Sequence, residues 1–289
     1  VLQRPPDREC YQATILYHHI WYTLQVLSNR TDLAGQHLDD LIIHIESHPW
    51  QIQADPSSYI TTLNNKIGLL LNLKSYDEIP DLLEKTKSIA MRYDLQDRKH
   101  LTMKLRLRSY NIELEMLRDT KQFSQGLALI SEVKKFLNEH QNSVPAEYMV
   151  LLHYQFAYLN FVTSNLREAL KDINEILQFS TASVRDDIFS FTRFLNLIIH
   201  YELNNIIVLR YAVAATRRFL KKKRNLMPFE KVLLRFFARI STTPVSRQKE
   251  LFIKLNRDLV ESDPPLLSAS DLDYLDFKGW IEKKLASGV

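Results

Sequence analysis

Histidine offers the first chemistry to weigh. His37, His44 and His48 are seven and four residues apart, so on a helix they share a stripe, with Asp40 beside them. Imidazole and carboxylate groups in that pattern could ligate a divalent metal. The stripe lies on the flank of an apolar face made by Leu38, Leu41, Ile42 and Ile45, where histidine is common. All the ligands would come from one helix, which gives poor tetrahedral geometry, so no metal is expected. His18 and His19 are adjacent and point to different faces. Asp271, Asp273 and Asp276 lack the glycine and distal glutamate of a calcium loop; they are expected to cap and charge a helix start. Asp39-Asp40 lacks the third aspartate of an isoprenoid-type diphosphate site. No HExxH, GxSxG or phosphate-loop pattern occurs, and Cys10 has no histidine near it in sequence. A non-catalytic chain without a cofactor is expected.

A second constellation is basic. Between Glu202 and Glu230 there is no acid, while Arg210, Arg217, Arg218, Lys221, Lys222, Lys223 and Arg224 contribute seven cations. Arg210, Arg217, Lys221 and Arg224 are spaced seven, four and three and share a stripe. Cations there complement a helix C-terminus, and they could equally meet nucleic acid, an anionic lipid or an acidic partner. Interleaved exposed aromatics and a recognisable reader module are not expected, which disfavours nucleic acid.

The elements that must position these groups are helices. Apolar residues recur at spacings of three and four almost throughout, and strict alternation is scarce. Hydrophobic residues are 45% and charged residues 25% of 289, the balance of a globular chain rather than a disordered one. Five glycines fall well below the average of about 7%, so few loops should need positive φ. Proline marks breaks at Pro5-Pro6, Pro49, Pro56, Pro145, Pro228, Pro244 and Pro264-Pro265. About thirteen helices are expected: 10–30, 32–48, 57–73, 77–93, 97–119, 121–139, 145–163, 166–178, 185–203, 206–224, 228–241, 245–256 and 270–285. Ser57 or Ser58 would cap the third, and Pro145 would open the seventh. A net charge of +4 is too small for whole-surface nucleic-acid binding, and no apolar run reaches membrane-span length. A single cysteine fits a reducing, cytoplasmic setting. The start at Val1, with neither a Met nor a signal-peptide pattern, leads us to expect a processed or excised piece.

The helices pair, and the pairs resemble one another. Turn residues Tyr76, Phe123, Leu166 and Ile207 are 47, 43 and 41 apart, and a weaker copy runs from Trp21 to Pro49. A period near forty means stacked units that cannot bury their apolar faces alone. The stretch Phe156-Ala157 … Ser164-Asn165-Leu166-Arg167-Glu168-Ala169-Leu170, with Tyr76-Asp77-Glu78-Ile79 as a fair second, resembles the tetratricopeptide-repeat family. Gly126 keeps that family's small packing position, whereas Ile79 and Arg210 depart from it. His200–Asn205 with Arg217–Lys222 also looks like a segment of large, uncharacterised bacterial proteins with long helical repeats, and that likeness carries no activity with it. The resemblance implies an all-α fold: a right-handed superhelical stack of about five hairpins over 10–224, after an N-terminal tail 1–9. The segment 225–289 should form a C-terminal helical cap, with Tyr274, Phe277 and Trp280 on its apolar face. The resemblance also implies a concave groove for a protein or peptide, lined by His19, Tyr22, Asn64, Asn72, Arg108, Asn111, Glu115, Arg118, Tyr154 and Tyr158. Tyrosine and arginine anchor binding surfaces, and asparagine can pair with a peptide backbone. The alternatives are a nucleic-acid or anionic-surface contact through 210–224, and a helical enzyme without a local motif.

Overall fold

The computed structural model describes residues 10–95, 98–141, 143–179 and 186–287; the tail 1–9 lies outside them. Among the described residues the chain is all-helical and has no strand. In order come α1 (Tyr11–Leu27), α2 (Thr31–Glu46), α3 (Pro49–Ala54), α4 (Ser57–Asn72), α5 (Ile79–Arg92), α6 (Lys99–Asp119) and α7 (Phe123–Glu139). Then follow α8 (Ala146–Val162), α9 (Leu166–Gln178), α10 (Asp186–Glu202), α11 (Ile206–Lys223) and α12 (Pro228–Ile240). A 3-10 turn (Val245–Arg247), α13 (Gln248–Leu259), α14 (Ala269–Tyr274) and α15 (Phe277–Ser287) complete the chain. The additions to the expected thirteen have local causes. Pro49 opens a short helix at its first position instead of merely ending one. Extended backbone at Leu275 divides the last expected helix in two. The start of α4 is also set differently: Asp55 Oδ1, not a serine, accepts the Ser57 N–H at 3.0 Å. Of the three aspartates expected to cap a helix start, Asp271 and Asp276 do so at two different helices. Ser268 and Asp271 form a reciprocal capping box, and Asp276 Oδ1 accepts the Gly279 N–H at 2.8 Å.

The low glycine count does not mean few left-handed turns. Asn29, Lys74, Asp94, Lys121, Ser164 and Asn204 all have φ between 53° and 64°. Each directly follows the end of a helix. At Asn29 the turn is a Schellman motif: Arg30 N–H reaches back to Gln25 O and Asn29 N–H to Val26 O. Ser75→Leu70, Asn165→Asn160 and Asn205→His200 repeat the long bond around Lys74, Ser164 and Asn204. Five of these six left-handed residues, Asn29, Lys74, Lys121, Ser164 and Asn204, are 45, 47, 43 and 40 apart, and Asp94 falls between the second and the third. They also correct the register of the last copy, where Ile206 rather than Ile207 stands two after the turn residue.

The chain divides into two compact units at Lys121/Gln122, inside the third hairpin read from the sequence. In the first unit, α1 packs on α2, α2 on α4, α4 on α5 and α5 on α6. Its core joins Leu41, Ile45, Ile52, Tyr59, Leu63, Ile67, Ile79, Leu83 and Ile89. In the second, α8 packs on α7, α9 and α10, and is buried at every residue from Leu152 to Asn160. A helix covered on several sides must be apolar nearly all round, and α8 is. The C-terminal helices close this core: Trp280 packs among Tyr201, Phe236, Phe237 and Phe252 and donates to Glu202 Oε1 at 2.7 Å.

Candidate functional site

The ten residues expected to line a groove fall into two sets, one in each unit. In the first unit, His19 and Tyr22 are half-buried on α1, where desolvation lowers the imidazole pKa and raises the phenol's. Tyr22 packs against Ala34, Leu38 and Leu69. Asn64 is half-buried in α4, and Asn72 is exposed at its end. Arg108, Asn111 and Glu115 are half-buried on α6. Asn64 Oδ1 and Arg108 Nε are both shut away from water without a hydrogen-bond partner among the described residues. A buried polar atom left unpaired costs about 1–3 kcal/mol, so such atoms ask for a partner.

Arg118 has a different role. It is 8% exposed and holds Asp119 at 2.9 Å, and Asp119 accepts the Tyr76 hydroxyl at 3.0 Å and Lys74 Nζ at 3.3 Å. Burial, then the Asp119 charge, pushes the Tyr76 phenol up to about 12. This network joins the turn after α4 to the end of α6. In the second unit, Tyr154 and Tyr158 are 3% and 8% exposed. The Tyr154 hydroxyl donates to Tyr274 O at 2.7 Å, and Tyr158 Oη accepts the Asp276 N–H at 3.4 Å. Both seat the α14–α15 segment rather than lining an open wall.

The basic stripe is likewise divided. Arg210 donates to Ser241 O, and Arg224 grips Glu230 with two bonds of 2.9 Å, the Glu230 side chain being fully buried. Arg217 and Lys221 are exposed, as are Arg218 and Lys222. The face opposite the buried Leu209, Val213, Thr216 and Leu220 begins with Ile207, Val208 and Tyr211, exposed by 72%, 47% and 75%.

One cluster went unread in the sequence. Asp172, 2% exposed, gathers His153 Nδ1 at 3.0 Å, Lys134 Nζ at 2.8 Å and Asn160 Nδ2 at 3.4 Å. It ties α7, α8 and α9 together, and no local spacing signals it, because its members are 12 to 38 residues apart. The histidine stripe also separates. His44 stacks on Tyr11, and His48 meets both rings at a tilt, while His37 meets His18 of α1, Nδ1 to Nδ1 at 3.3 Å, with Asp40 close by.

Neither models of protein families, nor curated proteins, nor solved structures give a match to this chain. The residues themselves therefore carry the functional argument. No helix among the described residues is long and apolar enough to cross a membrane.

Proposed function

We propose that the chain is a non-catalytic interaction module, built from helical hairpins of the tetratricopeptide type, that holds a protein or peptide segment. Five of the six left-handed turn residues recur at intervals of 40–47 residues, which supports the hairpin reading. The observation that carries the binding reading is that Asn64, Arg108, Asn111 and Glu115, polar residues the repeat pattern selects, keep partly exposed side chains on α4 and α6. An extended backbone offers N–H and C=O groups that such side chains can pair with. The crevice between α12 and α13 is lined by Arg235, Arg239, Lys254 and Asp258 among apolar side chains. The dish on α5 holds Asp81, Glu84, Lys85 and Arg92, and its hydroxyl, Ser88, donates to the Lys85 carbonyl. Neither sets a nucleophile against a base.

The test separates binding from folding. Asn64→Leu and Arg108→Met should leave the urea midpoint unchanged or raised, because each removes an unsatisfied group. Both should abolish capture of the peptides that the parent chain selects from a display library. Full retention of those peptides by both variants would refute the reading.

A second surface has its own support. The exposed face of α11 combines Ile207, Val208 and Tyr211 with Arg217, Arg218, Lys221 and Lys222, which suits an anionic surface. Retention on heparin that falls with salt and is lost in Arg217→Glu/Lys221→Glu supports that contact; salt-independent retention counts against it.

A further inference from the structure

We propose that His18, His37 and Asp40 form a three-ligand site for one divalent transition-metal ion, of which Zn2+ is the natural occupant class, pinning α1 to α2. One ligand atom from each of the three lies within 4.8 Å of the others. The geometry of the histidine pair is the strongest part. Their Nδ1 atoms are 3.3 Å apart. With metal–nitrogen bonds of about 2.0–2.1 Å, the edge of a tetrahedron is about 3.3–3.4 Å, so the two nitrogens already sit at ligand spacing. Two imidazoles facing each other through the same type of nitrogen share at most one proton, and a cation fills that place while accepting from both lone pairs.

The carboxylate completes the set. Asp40 follows His37 by three residues, so both project from one face of α2, while His18 comes from α1. The single-helix objection that applies to His37, His44 and His48 therefore does not apply here. Asp40 is exposed and leaves the site open to water, which supplies an entry path and the fourth ligand of an open zinc site. The neighbouring Asp39 is committed elsewhere, paired with Lys66 at 2.8 Å, so Asp40 supplies the carboxylate for this position.

The surroundings hold the rings in place. Trp21 stacks on His37 with planes 19° apart, and Tyr17 meets His18 and His37 edge-on. The imidazole and carboxylate donors suit Zn2+, Co2+, Ni2+ or Cu2+ and offer too few oxygens for Ca2+.

The experiment uses the full chain without an affinity tag. Co2+ is titrated and its visible d–d absorption followed, Zn2+ is used as competitor, and the thermal midpoint is recorded with and without Zn2+. One saturating equivalent per chain and a raised midpoint are expected. His18→Ala and His37→Ala should each abolish the absorption. Asp40→Asn, on an exposed side chain that leaves the fold intact, should weaken binding by about tenfold or more. His48→Ala should change nothing. Absence of a saturable equivalent overturns the site, as does binding that survives loss of both His18 and His37 or that disappears with His48.

Discussion

Ser164 is a serine where the backbone asks for glycine. Its φ of 64° is shared by residues of unrelated character at the other turns, so the conformation belongs to the Schellman turn and not to the side chain. A left-handed residue costs about 1–2 kcal/mol, while glycine costs about 0.5–1 kcal/mol in unfolded-chain entropy. Ser164→Gly and Lys74→Gly should therefore stabilise the chain by about 0.5–1 kcal/mol in urea unfolding, and Asn204→Gly by less, because asparagine tolerates this region. A loss of stability in Ser164→Gly would contradict the turn geometry. The histidines make a second residue-scale prediction. His18, His19, His37 and His44 all have folded pKa values lowered chiefly by burial. The unfolded chain then binds protons first, so stability is full above about pH 6.5 and is lost as pH falls through the lower folded values. Asp40 opposes the shift at His18 and His37, and His48 adds to it at His44. Metal-free protein should show a falling thermal midpoint from pH 7 to pH 5, with a shallower slope in His19→Gln.

At the scale of elements, two helical glycines separate packing from propensity. A Cβ at Gly126 of α7 would stand 3.2 and 3.3 Å from the two methyls of Leu159, a fully buried residue of α8. A Cβ at Gly68 of α4 would meet nothing within 4 Å. Gly68→Ala should therefore gain nearly the full helix-propensity difference of about 0.8–1 kcal/mol. Gly126→Ala should gain little or none of it, and Gly126→Leu should lose about 1–3 kcal/mol through overpacking. Equal gains from the two alanines in chemical denaturation would contradict the close approach of α7 to α8. The family resemblance singled out Gly126 as a small position, and a Cβ there would crowd Leu159. The division of α14 from α15 was not legible in the sequence, because Leu275 and Asp276 carry no proline or glycine, and their break is held by distant Tyr154 and Tyr158.

At the scale of the whole molecule, the C-terminal segment closes the core of the second unit. Trp280 contributes aromatic packing against four rings as well as its bond to Glu202, which also takes Lys284 Nζ at 2.6 Å. Trp280→Ala should cost about 3–5 kcal/mol by urea unfolding followed at 222 nm, a far-UV wavelength that reads helix content. Trp280→Phe should cost less, because it keeps much of the packing and loses the hydrogen bond. Equal costs would mean that packing is not the main contribution.

Periodicity alone settled that the chain is helical and roughly where its helices lie, because both follow from the spacing of apolar residues along the chain. Composition misled on the turns: non-glycine residues accept the left-handed conformation because the surrounding helices determine it. Site membership was beyond local reading. Arg224 and Arg217 look alike in the basic run, yet one anchors buried Glu230 and the other faces water. His18 and His37 are nineteen residues apart and meet only because the Asn29 turn folds α1 back onto α2. Which polar groups are consumed inside and which are left for a ligand depends on contacts between helices, and those exist only once the hairpins have packed.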